Sequence, residues 1–262
     1  MIVAMAGTKG APGATTACFG IACFLRRKRT VVMVEADAEG GCLAARLGLA
    51  QEPGLSTLAA AGRHELSEGV LAGHLQGGPG GLGLLVAPSA PSQARASLRA
   101  ASSLCRILTE LKQADVVIDV GRLDAESPAL PFVRVAERVL LFAGPTLEGA
   151  DAAAVRLSEL VEVRPLTHLV TVGDGPYAGD EVAQVLAIDH AGHLPHDPAG
   201  ASMLWTSTER SLDSRRPLLR SLAQLADQLV SPVGISSDEA GPIPGGDHDT
   251  RKRGHLAREM AR

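Results

Sequence analysis

Short β-branched runs alternate along the chain with longer stretches of helical periodicity. Ile2 to Ala6 reads as a buried strand that breaks at Gly7 into a loop holding Gly10, Pro12 and Gly13. Thr15 and Thr16 then open a helical pattern that runs to about Arg27. Val31 to Val34 is a second strand, closed by Glu35-Ala36-Asp37. Further strands fall at Leu84 to Ala87 (stopped by Pro88), Val116 to Asp119, Val139 to Ala143, His168 to Val172 and Gly192 to Leu194. Helical stretches lie around Cys42 to Leu47, Gly54 to Ala61, Ser92 to Lys112, Leu147 to Val163 and Gly179 to Leu186. Two more, near Ala199 to Trp205 and Arg215 to Val230, end the periodic region, and residues 62 to 81 form a Gly- and His-rich connection with one short helix. This alternation predicts βαβ units: an α/β, doubly wound fold with a mainly parallel sheet and helices on both faces. Ligands of such sheets bind outside the C-terminal strand ends. Gly7, Asp37, Pro88, Asp119, Gly144 and Gly173 are therefore expected to rim one crevice.

From Ser231 onward periodicity disappears and Pro, Gly, Asp and Ser dominate. The expected organisation is one α/β domain over residues 1–230, followed by a disordered tail over 231–262 that ends in a basic stretch from Arg251.

Composition narrows the classes. The chain has 262 residues, enough for a large core. Hydrophobic residues make up 45% and aromatics 2%, so the core is expected to rest on Ala, Val, Leu and Ile. A net charge of −4 argues against coating nucleic acid over the whole surface. The four cysteines show no Cys-x-x-Cys spacing, and Cys18 and Cys23, in the first helical stretch, read as buried thiols. No apolar run approaches the ~18 residues of a membrane span, and the Met1-Ile2-Val3 start lacks a basic n-region, so a cytoplasmic location is expected.

The stretch from Ile2 to Thr16 carries the chemistry. A strand, a Gly-rich turn and a helix N-terminus cradle phosphate, because small residues let backbone N–H groups converge on an anion at the positive helix end. Where a P-loop has Gly-Lys-Ser/Thr, this chain reads Gly13-Ala14-Thr15, without the usual phosphate-binding lysine.

Lys9-Gly10-Ala11-Pro12-Gly13-Ala14-Thr15-Thr16 resembles the deviant P-loop of the MinD/ParA ATPases, Lys-Gly-Gly-x-Gly-Lys-Thr-Thr. The resemblance covers about residues 2–230. It implies a P-loop fold, ATP and Mg²⁺ as cofactors, and a homodimer. Carried over by position, Lys9 matches the signature lysine that reaches the partner subunit's nucleotide, Gly10 and Gly13 the loop glycines, and Thr15 the magnesium ligand. Ala11 and Ala14 depart from a glycine and the later lysine. Glu35-Ala36-Asp37 lies where the family has Asp-x-Asp. Asp37 then helps to place the attacking water near the metal, and Glu35 replaces the first aspartate. Asp119 looks like the strand-end carboxylate of the Mg²⁺ shell, and Gly121 falls in the switch segment. Leu194-Pro195-His196-Asp197 resembles the loop lining the base pocket, which brings in Pro195 and Asp197. The implied site is thus Asp37 and Lys9 for catalysis, the 9–16 loop with Gly121, Pro195 and Asp197 for nucleotide, and Thr15, Asp37 and Asp119 for metal. Relatives often read adenine with an Asn after the strand that here ends at Val172. This chain has Gly173-Asp174-Gly175-Pro176-Tyr177, which reads as a solvated turn, with Asp174 or Tyr177 as a substitute reader the weaker alternative.

Losing the P-loop lysine removes a charge-assisted contact that contributes ~1.5–3 kcal/mol, or roughly 10- to 150-fold in affinity. Weak ATP binding and slow or absent hydrolysis are expected, and a non-enzymatic scaffold of the same fold is the alternative. The CpaE/TadZ-type localisation proteins resemble the chain most, through their loosened P-loops and a switch like Asp119-Val120-Gly121. That likeness makes a pilus or secretion ATPase a candidate partner beside cell-division or chromosome-partition machinery. The Arg26 to Arg29 run and Arg210, Arg215, Arg216 and Arg220 read as solvated helix ends, with DNA the weaker alternative. Leu256 and Met260 are the only large apolar residues after Arg251, too few for a membrane anchor.

Overall fold

The computed structural model describes residues 1–8, 13–62, 66–206, 215–231 and 255–260. Its described strands form one eight-stranded sheet in the order β3-β4-β2-β5-β1-β6-β7-β8. These are β1 (Ile2–Gly7), β2 (Val31–Glu35), β3 (Gln76–Gly77), β4 (Gly83–Leu85), β5 (Asp115–Arg122), β6 (Arg138–Ala143), β7 (Thr167–Val172) and β8 (Asp189–Leu194). Seven run parallel, and the short β3 pairs antiparallel with β4 at the edge. The expected doubly wound, mainly parallel α/β fold is what the chain forms.

Burial on both faces explains why the strands read as continuous apolar runs. In β1, Ile2, Ala4 and Ala6 enter one core, while Val3 and Met5 enter the other. β5 alternates likewise, with Val116, Ile118 and Val120 on the first face and Val117 on the second. The second face is covered mainly by α1 (Ala14–Arg26), α10 (Pro198–Thr206) and α11 (Pro217–Val230). α1 is buried along most of its length, and a β-carbon on Gly20 would meet the Leu222 Cδ1 of α11 at 2.6 Å. Small size at position 20 lets the two helices approach. All four phenylalanines are buried, and Phe19 stacks on Trp205 at 4.4 Å.

The first face carries α3 (Leu55–Ala61), α4 (Glu68–His74), α5 (Pro91–Ala100), α6 (Leu104–Glu110), α7 (Leu130–Arg134), α8 (Leu147–Glu159) and α9 (Gly179–Leu186). The single helix expected over Ser92 to Lys112 is two helices, α5 and α6. The break falls at Ala101-Ser102-Ser103, where serines compete with helical hydrogen bonding through local bonds. α2 (Leu43–Leu47) lies beyond the tip of β2. Within the stretch expected to be a tail, His255–Met260 is a short helix, α12, on α8 and α9. Its Leu256 is fully buried in the first core, and the Tyr177 hydroxyl donates to the Glu259 carboxylate. The two apolar residues that seemed too few for a membrane face thus both pack against the body. Among the described residues, no helix is long and apolar enough to cross a membrane.

Candidate functional site

β1 lies at the centre of the sheet, with β5 on one side and β6 on the other. The chain therefore leaves β1 where the strand order reverses, the place at which such sheets bind ligands. Gly13 sits in the left-handed region (φ 89°), which a glycine adopts without steric cost, and its carbonyl accepts from Ala17 N at 2.8 Å. Ala14, Thr15 and Thr16 form the first turn of α1. No side chain caps this turn and no acidic residue lies in it, so its N–H groups remain suited to an anion. Lys9, Gly10, Ala11 and Pro12 lie outside the described residues.

Beneath that turn stands Asp119, at the tip of β5 and 1% exposed. The Thr15 hydroxyl donates to its carboxylate, and Gly121 N donates to Oδ1 at 3.0 Å. Oδ2 is buried and has no hydrogen-bond partner among the described residues. Burial pushes the Asp119 carboxyl up to about 7, with the Glu35 and Asp37 charges adding to the effect and the two hydrogen bonds opposing it.

Asp37, half-buried after β2, reaches the same place from the neighbouring strand. Its carboxyl lies over Gly121 so closely that a β-carbon there would overlap it. Gly121 is also left-handed (φ 59°), so both its backbone and its lack of a side chain are needed. Asp37 Oδ1 accepts from Glu39 N at 2.8 Å. Burial raises the Asp37 carboxyl above its ordinary range, and the Glu39 charge adds to this. The Glu39 N–H and the Arg122 charge pull it down.

Three of the residues implied as metal ligands therefore come together: Thr15, Asp37 and Asp119. Hard oxygen donors suit Mg²⁺, and the partnerless Asp119 oxygen beside a hydroxyl fits such an ion. Among the described residues no three His, Cys, Asp or Glu side chains form a closed metal cage. Magnesium at phosphate sites needs only one or two protein ligands, with water and phosphate completing the shell.

Glu35, unlike Asp37, turns away from this cluster to backbone. Its Oε1 accepts from Cys42 N at 2.6 Å and Leu43 N at 2.9 Å, at the start of α2, and its Oε2 accepts from Ala87 N at 2.9 Å. Both oxygens tie backbone. The Cys18 thiol, on the buried face of α1, is pushed well up by burial and by the Asp119 and Glu35 charges, which leaves it unreactive.

Beside the first turn of α1, Gly13, Thr16, Val172, Gly173, Leu194 and Pro195 line a cavity of about 200 Å³ with Asp197 and neighbours from α10 and α11. Pro195 and Asp197, expected together from the sequence, both line this cavity. Asp197 Oδ1 also caps α10 by accepting from Gly200 N at 2.9 Å. Tyr177 turns to α12 instead of the cavity.

No protein-family model matches the chain, and no curated protein does. Solved structures do. A ParA family ATPase from Chlorobium tepidum TLS superposes with a TM-score of 0.74 at 17% identity, over 87% of this chain and 98% of that one. The septum site-determining protein MinD from Pyrococcus horikoshii OT3, complexed with Mg-ADP, gives 0.66 at 16% identity, over 89% and 97%. A putative plasmid partition protein from Borrelia burgdorferi B31, bound to AMPPNP, gives 0.62 at 12% identity, over 86% and 96%. The chain has the fold of these MinD and ParA ATPases.

Proposed function

We propose that this chain is a MinD/ParA-type protein that dimerises around ATP and Mg²⁺ and positions cellular machinery: a septum, a chromosome, or a pilus or secretion assembly. It binds nucleotide weakly and hydrolyses it little. The observation that carries the reading is the convergence of Thr15, Asp119 and Asp37 under the first turn of α1, with alanine at position 14. Thr15 and Asp119 would hold the metal shell, and Asp37 would orient a water beside it. The 200 Å³ cavity at Pro195 would take the base. Bound magnesium would neutralise charge on the phosphate oxygens. The Mg-ADP and AMPPNP held by structures of this fold support the choice of ligand.

A second reading, a non-enzymatic scaffold that localises a partner complex, draws on two departures. The lysine is absent at Ala14, and Glu35 is consumed by backbone N–H groups. Calorimetric titration with ATP and Mg²⁺, together with a turnover assay, separates the two. The first reading predicts saturable binding weaker than micromolar with slow turnover. No binding at about millimolar ATP, with a dimer still present by ultracentrifugation, would leave only the scaffold.

A further inference from the structure

A phosphate cradle with alanine at position 14 lacks the cation that usually enters from the helix start. We infer that Arg122 supplies that charge from the neighbouring strand, its guanidinium contacting the β- or γ-phosphate held at the start of α1 in its own subunit. The inference rests on reading the site as nucleotide-binding.

Sheet register brings Arg122 to the loop. β5 runs on past the Gly121 turn to Arg122, which pairs with Gly7, the last residue of β1 before the phosphate loop. Neighbouring strands lie about 4.8 Å apart, well within the reach of an arginine side chain. Gly121, the residue before it, lies directly against the Asp37 carboxyl, so Arg122 leaves β5 from the same rim. Arg122 is exposed and makes no hydrogen bond or ion pair with any described residue, whereas Arg95, Arg106, Arg134 and Arg156 each hold a carboxylate. Two further groups on this rim point to a missing ligand. Asp119 Oδ2 and Thr8 Oγ1 belong to residues 1% and 2% exposed, and neither has a partner among the described residues. A planar guanidinium suits this task, because it meets phosphate oxygens with two parallel hydrogen bonds.

The test is calorimetry on the full chain with ATP, ADP and AMP in Mg²⁺. Arg122→Ala should weaken ATP binding about tenfold or more while leaving AMP within about twofold. Arg122→Lys should recover part of the loss, and adding Ala14→Lys to Arg122→Ala should recover most of it. Should Arg122→Ala fail to fold by circular dichroism, Arg122→Gln carries the same expectation. Equal ATP affinity in wild type and Arg122→Ala would overturn the inference and leave the nucleotide reading standing. A parallel loss of ATP and AMP would overturn it too, because the effect would not lie at the outer phosphates. No ATP binding by the wild type at about millimolar concentration would overturn both.

Discussion

Glu35 and Asp119 face each other in register at the tips of β2 and β5, each 1% exposed. Burial raises both carboxyls, and there the likeness ends. Glu35 accepts three backbone N–H bonds, two from the start of α2 and one from Ala87, so it clamps the tip of β2 to α2 and to the segment leaving β4. Asp119 accepts from Thr15 and Gly121 through part of its carboxylate and leaves Oδ2 partnerless. A carboxylate with every oxygen satisfied by backbone is architecture. One left short, next to a hydroxyl and a second acid, would suit a cation on the proposed reading. On the proposed reading, Glu35 is a structural acid and Asp37, two residues on, belongs to the candidate site.

Removing the clamp should have the largest effect. Glu35→Ala leaves three N–H groups, two of them buried, without an acceptor and should cost about 3–5 kcal/mol in urea unfolding. A cost below about 1 kcal/mol would break the contrast.

Asp119 should behave in the opposite sense. Its folded carboxyl holds the proton up to about pH 7, against an ordinary value of 3.8. Its contribution to stability is therefore full below about pH 4, falls as pH rises toward 7, and is lost above that. Asp119→Asn removes the buried charge. In metal-free buffer near pH 8 it should stabilise the fold by on the order of 1–3 kcal/mol, with the gain shrinking toward pH 4. The same change should abolish the Mg²⁺ dependence of nucleotide binding. A destabilised Asp119→Asn protein at pH 8 would mean that the charge is already satisfied.

How much of this could be read from the chain depends on the range of each interaction. Thr15, Asp37, Asp119 and Gly121 were legible because each sits at a strand tip or helix start that local pattern marks. The structure brings all four together. The role of Glu35 was not legible, since its third partner, Ala87, lies 52 residues away. Arg122 carried no local signal either, and its neighbourhood depends on the pairing of β5 with β1. The α5–α6 break was missed because the helical periodicity continues across Ser102 and Ser103. α7 is a single short turn-length helix between strands, too brief for periodicity to show.

The central claim is that the site is intact apart from the lysine absent at position 14, whose charge Arg122 replaces only in part. Calorimetry of MgATP binding to wild type and Ala14→Lys tests it most directly. The account predicts that restoring the lysine strengthens binding by about an order of magnitude or more. An unchanged dissociation constant would contradict it, because the pocket would then have been lost for reasons other than Ala14.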